Sequence, residues 1–164
     1  MTDPEFHDIF HSHKNVLHRF AYRMTGSSSA AEDIVQECFM TLWKKPDGYH
    51  ANRGAIRAYL LGVARNLVLK NWRDQRPFDP LDPDGSVPPV DLLMLNRAES
   101  VCAAVQALPP LQREALVLAE YEEMSLEEIA SLTGAELAAV KSRLHRARQN
   151  LRRMLAPLLP AVST

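Results

Sequence analysis

Apolar residues recur every three or four positions through most of the chain, which predicts an all-α protein. In the N-terminal part this spacing predicts helices over about 5–24, 29–45 and 54–75. Gly26 is expected to end the first helix, Ser29 and Glu32 to form a capping box at the start of the second, and Pro46 to stop it. No stretch shows the alternating pattern of a strand.

The C-terminal part shows the same helical spacing over shorter segments, at about 92–107, 111–121, 125–132 and 137–155. Ser125 and Glu128 form a second capping box, and Met124 and Ile129 fit a hydrophobic staple. Because only a short turn at Gly134 separates the last two segments, they are predicted to form a helix-turn-helix whose second helix can enter a major groove.

A proline-rich, acidic stretch separates the two groups of helices. Residues 77–89 contain five of the eleven prolines, with three aspartates and one glycine. Such a composition cannot continue a helix and is poorly suited to a core. The sequence therefore predicts two small helical domains, 1–77 and 92–164, joined by a linker at 78–91.

Charge is strongly segregated, although the net charge is only -1. From residue 137 onward there are six cations and no acid, namely Lys141, Arg143, Arg146, Arg148, Arg152 and Arg153. Apolar residues form a separate stripe along the same helix, so that one face packs and the other is positive. This pattern favours nucleic-acid binding over other functions.

Other features exclude several classes of protein. Cys38 and Cys102 lie in apolar helical patterns and are predicted to be small buried residues without disulfide or metal spacing. The histidines of the first helix complete no zinc spacing, and no catalytic motif is present. We therefore expect a soluble cytoplasmic protein with no enzyme activity, no metal or other cofactor and no membrane insertion.

An ordered set of motifs carries a resemblance to a known family. The motifs are Ala31-Glu-Asp-Ile-Val-Gln-Glu37, Trp43, Ala64-Arg-Asn-Leu67, Ser125-Leu-Glu-Glu-Ile-Ala130 and Val140-Lys-Ser-Arg-Leu-His-Arg-Ala-Arg148. Together they resemble an extracytoplasmic-function (ECF) RNA polymerase sigma factor of the sigma-70 family, over nearly the whole chain. The resemblance implies a protein that binds core RNA polymerase and directs promoter recognition, DNA melting and transcription initiation.

The resemblance also implies roles for the residues of the first domain. The clamp helices of the polymerase beta-prime subunit would bind Asp33, Gln36, Glu37 and Met40. Contacts with the promoter -10 element are assigned to Lys45, Tyr49, Asn52, Arg53, Arg57, Arg65, Asn66, Lys70 and Arg73. Within this set, Tyr49 would stack on an extruded base and Asn66 would face it. Tyr59 and Trp72 could also stack, although aromatic residues at helical spacing more often belong to the core.

In the second domain, the resemblance assigns the -35 element to Lys141, Ser142, Arg143, His145, Arg146 and Arg148. This domain would also bind the polymerase beta flap. One departure is that the family commonly has a hydroxyl or glycine near the start of this helix, where this chain has Ala135-Glu-Leu-Ala-Ala139. Glu136 favours the helix N-terminus but would repel phosphates if it pointed toward them. The linker resembles a segment that mimics nucleic-acid charge near the RNA exit path, and a simple spacer fits its composition equally well. An anti-sigma factor is a further partner that the resemblance implies.

The alternative interpretation is a free-standing helix-turn-helix regulator that binds duplex DNA without polymerase. This interpretation accounts for residues 111–155 but leaves three features unexplained. Those features are the basic third helix, the aromatic loop and the motif from Asp33 to Glu37.

Overall fold

The computed structural model describes residues 1–75, 87, 90–92 and 95–158, and Arg53 in its backbone alone. Within these ranges the chain forms helices and no strand, which confirms the predicted all-α class. The chain divides into two compact units whose main boundary lies between residues 78 and 79. Most of the linker predicted at 78–91 lies outside the described residues. None of the described helices combines the length and apolar character that crossing a bilayer requires.

The first unit consists of three helices: α1 (Asp3–Thr25), α2 (Ser28–Lys44) and α3 (Ile56–Gln75). Short 3-10 turns at Pro46–Gly48 and Ala51–Arg53 connect α2 to α3. Each helix contributes apolar side chains at helical spacing to the buried interior of this unit. The largest of these are Leu17, Phe20, Met24, Ile34, Phe39, Leu42, Leu60, Leu61, Leu69 and Trp72.

The ends of the first two helices partly match the prediction. Gly26 ends α1 in the left-handed conformation (φ 72°), as the sequence indicated. The capping box predicted at Ser29 and Glu32 is wrong, because Ser27 caps α2 and its hydroxyl accepts a hydrogen bond from the Ala30 amide at 3.2 Å. Three consecutive serines, 27–29, lie at the start of this helix, and the pattern alone does not distinguish which one adopts the extended cap conformation.

A capping box that the sequence analysis missed begins α1. The Thr2 amide donates to the Glu5 carboxylate at 2.8 Å, and the Glu5 amide donates to the Thr2 hydroxyl at 3.3 Å. The backbone hydrogen bond from Thr2, and then the bond to its side chain, hold the pKa of Glu5 below its usual value. The box therefore satisfies amides that the first turn leaves without helical partners.

Helix α3 begins two residues later than predicted and is rotated relative to the expected buried face. The spacing of its apolar residues predicts that Ile56, Leu60, Val63, Ala64 and Leu67 pack inward. Leu60 and Ala64 are buried, whereas Ile56, Val63 and Leu67 are only half-buried. The buried positions include Leu61 and Trp72 instead. The helix is apolar on several sides, so that its composition alone does not define a single buried stripe.

The second unit contains α4 (Arg97–Ala107), α5 (Pro110–Leu116), the first turns of α6 (Leu126–Thr133) and all of α7 (Leu137–Leu155), while residues 131–134 are grouped with the first unit. The predicted helix at 92–107 begins only at Arg97, where the Asn96 side chain accepts from the Glu99 amide at 2.8 Å. The predicted helix at 111–121 is α-helical only to Leu116 and continues as a π-helical turn over Val117–Tyr121. In that turn the Glu122 amide bonds to the Val117 carbonyl, one residue further away than in an α-helix.

The capping box at the start of α6 is confirmed. The Glu128 amide donates to the Ser125 hydroxyl and the Ser125 amide donates to the Glu128 carboxylate, each at 3.1 Å. Met124 and Ile129 are both buried, which agrees with the expected staple. Gly134 has φ +73°, a conformation that favours glycine, and it lies in the turn between α6 and α7.

The two cysteines differ from each other, although both were predicted to be buried. Cys38 lies in the core, where burial and then the charge of Glu37 raise the pKa of its thiol to about 12. Cys102 is exposed, so its prediction is wrong. The short helix α4 directs Ser100, Ala104 and Val105 inward and leaves position 102 on its outer face.

Candidate functional site

The outer face of α2 carries the residues that the family resemblance assigns to a protein partner. Asp33, Gln36, Glu37 and Met40 are all exposed and line one shallow groove. They share this face because Ile34, Cys38 and Leu42 turn the opposite side of the helix inward. Met40 is 45% exposed, so this face offers a flexible apolar side chain among polar ones.

A second, apolar groove of about 460 Å³ lies between α1 and α2 next to this face. Phe6, Phe10 and Phe39 line it together with Met40 and Trp43. The ring centroids of Phe6 and Trp43 are 4.9 Å apart, as are those of Phe10 and Phe39. Because the rings support one another in tilted contacts, the groove has rigid aromatic walls.

Trp43 belongs to one of the family motifs but is in none of the site sets predicted from the sequence. It is 49% exposed at the rim of the apolar groove. The signal was available, because Trp43 follows Gln36 and Met40 at helical spacing and continues their face. Large exposed aromatic residues are enriched in protein interfaces, so Trp43 extends the candidate docking surface.

The loop between α2 and α3 holds further predicted residues. Lys45 and Asn52 are exposed, whereas Tyr49 is half-buried. The Tyr49 hydroxyl donates to the Gly54 carbonyl at 3.3 Å, and its ring centroid lies 5.6 Å from that of Tyr59. These contacts position the Tyr49 ring at the surface without enclosing it in the core.

Gly48 shows how tightly the same loop packs. A Cβ atom at Gly48 would lie 2.8 Å from the Tyr59 hydroxyl, closer than side-chain atoms normally approach. Tyr59 therefore supports the loop, although the sequence analysis considered it a second stacking residue. Trp72, the other aromatic residue considered for stacking, is 7% exposed and belongs to the core.

Helix α3 brings only part of the predicted basic set onto one face. Asn66, Lys70 and Arg73 are exposed and follow one another at spacings of four and three residues, which places them in a row. Arg57 and Arg65 are half-buried and lie off this row. The backbone of Arg53 ends a 3-10 turn before α3.

Helix α7 presents the predicted recognition residues on the side opposite its buried stripe. Val140, Leu144 and Ala147 are buried, whereas Lys141, Ser142, His145 and Arg146 are exposed. Arg143 is half-buried at the edge of this surface. Gln149, which the sequence analysis missed, is exposed one turn beyond His145 and continues the same face. Glutamine can read adenine by a bidentate hydrogen bond, so this position adds a candidate for base contact.

Two interactions connect α7 to the rest of the second unit. The Asn150 amide donates to the Gln112 side-chain oxygen at 2.7 Å, which joins α7 to α5. The Arg148 guanidinium donates through Nε to the Glu120 carboxylate at 3.0 Å and forms an ion pair with it. Arg148 is thus already paired with an acid, unlike a side chain extended toward phosphate. Glu136 caps the N-terminus of α7 without a side-chain hydrogen bond.

Two family models match the chain in the order of these surfaces. Sigma-70 region 2 matches residues 9–78, which include the face of α2, the loop and α3. Sigma-70 region 4 matches residues 99–151, which include α6 and most of α7.

Whole-chain comparisons give similar proteins in several bacteria. The chain is 30% identical to the ECF RNA polymerase sigma factor SigW of Bacillus subtilis, over 93% of this chain and 90% of SigW. It is also 30% identical to SigE of Mycolicibacterium smegmatis, again over 93% of this chain, but it spans only 62% of that relative's length. Among solved structures, sigma factor RpoE of Bartonella quintana, crystallised with the anti-sigma factor NepR, matches with a TM-score of 0.75 and 26% identity. That match covers 93% of this chain and 97% of the solved chain.

Proposed function

The chain belongs to the ECF group of sigma-70 factors, and on that premise we propose that it binds core RNA polymerase and directs promoter recognition, DNA melting and transcription initiation. Proteins of this group are initiation factors rather than enzymes. The proposal includes action in the cytoplasm, where core polymerase and promoter DNA are found.

The observation that carries the proposal is the presence of two separate polar or basic helix faces in one chain, one in each matched region. The row of Asn66, Lys70 and Arg73 on α3 offers an amide for an unpaired base and two cations for its backbone. The face of α7 from Lys141 to Gln149 offers polar and cationic side chains of a length that reaches base edges in a major groove. A protein that opens a promoter needs both a duplex reader and a surface for single-stranded DNA.

We assign the polymerase contact to the α2 face and its neighbouring apolar groove. Asp33, Gln36 and Glu37 supply polar contacts, and Met40 and Trp43 supply apolar area that a partner helix could cover. The partner proposed for this surface is the pair of clamp helices of the beta-prime subunit. The second unit is proposed to bind the beta flap.

The promoter contacts are proposed for two sets of residues. For the -10 element they are Lys45, Tyr49, Asn52, Arg53, Arg57, Arg65, Asn66, Lys70 and Arg73. For the -35 element they are Lys141, Ser142, Arg143, His145, Arg146 and Arg148, with Gln149 added. The exposed row on α3 and the exposed face of α7 support the central members of each set most strongly.

Domain limits of 1–77 and 92–164, with a linker at 78–91, are part of the same proposal. The separate matches over residues 9–78 and 99–151 support a division of the chain near these limits. An anti-sigma factor is proposed as a further partner. RpoE of Bartonella quintana, which resembles this chain, was crystallised with one.

The free-standing regulator is the less favoured function, because it leaves the match to sigma-70 region 2 without a role. The two functions differ in whether DNA binding depends on polymerase. Fluorescence anisotropy of labelled promoter DNA distinguishes them when it is measured with the protein alone, with core polymerase alone and with both together. The proposal expects tight, sequence-dependent binding only with both; tight binding by the protein alone would favour the regulator.

A matched pair of variants tests the assignment on α3. Lys70→Ala should weaken the binding of promoter DNA by the holoenzyme. The slope of log K against log salt should also become shallower by about 0.7, the value for one phosphate of a single strand. Lys14→Ala removes the same charge from α1, where Lys14 lies over the Phe10 ring, and should leave both quantities unchanged.

A further inference from the structure

Two histidines on the first turns of α1 converge on each other. The Nε2 atoms of His7 and His11 lie 2.8 Å apart, and their ring centroids are separated by 4.3 Å. The residues are one helical turn apart and both are exposed. Because both residues lie on one continuous helix, the backbone holds the two imidazoles close enough to bind the same ion.

The chemistry of this pair is that of a chelate. At this separation one Nε2 carries a proton that the lone pair of the other accepts. A second proton on the pair would place two N–H groups against each other. When the Nε2 proton of the donor ring moves to Nδ1 of the same ring, both rings are neutral and both Nε2 lone pairs can bind one divalent metal ion, since neutral imidazole is a common ligand for transition metals.

The separation is compatible with a right-angled chelate. With metal–nitrogen bonds of about 2.0–2.1 Å, two ligands at a right angle have nitrogen atoms about 2.9 Å apart, whereas tetrahedral ligands are about 3.3 Å apart. The observed 2.8 Å matches the right angle, which is the geometry of square-planar or tetragonal Cu²⁺ and Ni²⁺. A rotation of the two rings suffices to direct both lone pairs at one point, because neither ring is enclosed by the core.

We propose that His7 and His11 form a two-nitrogen binding site for Cu²⁺ or Ni²⁺ on the exposed side of α1, at the rim of the apolar groove that His7 helps to line. Among the described residues no group of three His, Cys, Asp or Glu side chains is placed to hold a metal ion. The remaining coordination positions are therefore left to water or to a donor from a bound molecule. The histidines of α1 complete no zinc spacing in the sequence, but a chelate of two histidines does not need one. The site does not depend on the proposed function.

The test is a titration of tag-free protein, stripped of metal beforehand, with CuCl₂ and separately with NiCl₂ in an isothermal calorimeter. We expect one equivalent to bind and the thermal unfolding midpoint to rise, because the ion binds the folded helix and not the unfolded chain. His7→Gln and His11→Gln should each weaken binding by at least about tenfold, the loss that even a change outside the ligand set brings. His18→Gln, on the same helix but stacked on Tyr22, is the control and should bind as the parent protein does.

Electron paramagnetic resonance of the Cu²⁺ form gives an independent readout. Coupling to two imidazole nitrogens is expected in the parent protein and in the His18→Gln variant, and coupling to fewer nitrogens in the other two. Circular dichroism checks that all variants keep the helical fold. Binding of less than one equivalent, or binding that both His7→Gln and His11→Gln leave unchanged, would overturn the proposal.

Discussion

The ion pair between Glu120 and Arg148 gives a sharp prediction about DNA binding. The guanidinium of Arg148 is held by the Glu120 carboxylate, and both side chains are 49% exposed. To contact a phosphate, Arg148 must first leave this acid. The change Glu120→Gln removes the competing charge and keeps the size of the side chain, so that it should release Arg148 for the DNA.

The size of the effect follows from the exposure of the pair. Surface ion pairs contribute about 0–1 kcal/mol, so Glu120→Gln should lower the free energy of unfolding by less than about 1 kcal/mol. The same amount limits the cost of freeing Arg148 on DNA binding, which corresponds to a gain of up to roughly fivefold in affinity. If Arg148 stays paired with Glu120 in the parent complex, its release adds one phosphate contact, and the dependence of log K on log salt should steepen by about 0.9.

Promoter affinity of the holoenzyme, measured by fluorescence anisotropy over a series of KCl concentrations, tests this prediction. Glu123→Gln makes the same change of net charge three residues away and serves as the control. The double variant Glu120→Gln/Arg148→Ala should lose the gain, because it no longer has the released cation. A gain that persists without Arg148, or an equal gain in Glu123→Gln, would refute the reasoning.

Three further predictions concern the cap of α6, the cysteines and the α2 surface. Ser125→Ala should lower the free energy of unfolding by about 1 kcal/mol, because the Glu128 amide loses its partner; an unchanged denaturation midpoint would contradict this role. In native protein a thiol reagent at pH 9 should label the exposed Cys102 and not Cys38, whose raised pKa keeps it protonated up to about pH 12. The same shift means that stability linked to Cys38 is present below pH 9 and falls as the pH rises from there toward 12; rapid labelling of both cysteines would contradict its burial. Trp43→Ala should weaken binding to core polymerase at least about fivefold, whereas Tyr22→Ala, another exposed aromatic change, should not; equal effects would argue against the α2 surface.

Each part of the fold that was predicted correctly is marked by one unambiguous residue pattern in the local sequence. The C-terminal end of α1 depends on a single glycine, Gly26, which adopts a positive φ angle. The capping box at Ser125 and Glu128 has one serine and one glutamate at the required spacing. In α7 the apolar stripe is interrupted only by polar or charged residues, so that its buried and exposed faces could be assigned residue by residue.

The parts predicted less well depend on packing that local patterns do not contain. Any of three consecutive serines could cap α2 by its local pattern, and in the folded chain Ser27 is the cap. Helix α3 has apolar residues on more than one side, so its buried face depended on the packing of the neighbouring helices. The π-helical turn after Leu116 has no composition that distinguishes it from an α-helix. The pairing of Arg148 with Glu120 joins residues distant in sequence, which a spacing analysis cannot detect.

The central claim is that this chain confers promoter recognition on core RNA polymerase. Run-off transcription from a genomic promoter library, with purified bacterial core polymerase in the presence and absence of the protein, tests it most directly. We expect initiation at a discrete set of promoters that is lost in the Asn66→Ala and Arg146→Ala variants. If core polymerase neither bound the protein nor gained any start site, the claim would be contradicted and a free-standing helix-turn-helix regulator would be the better explanation.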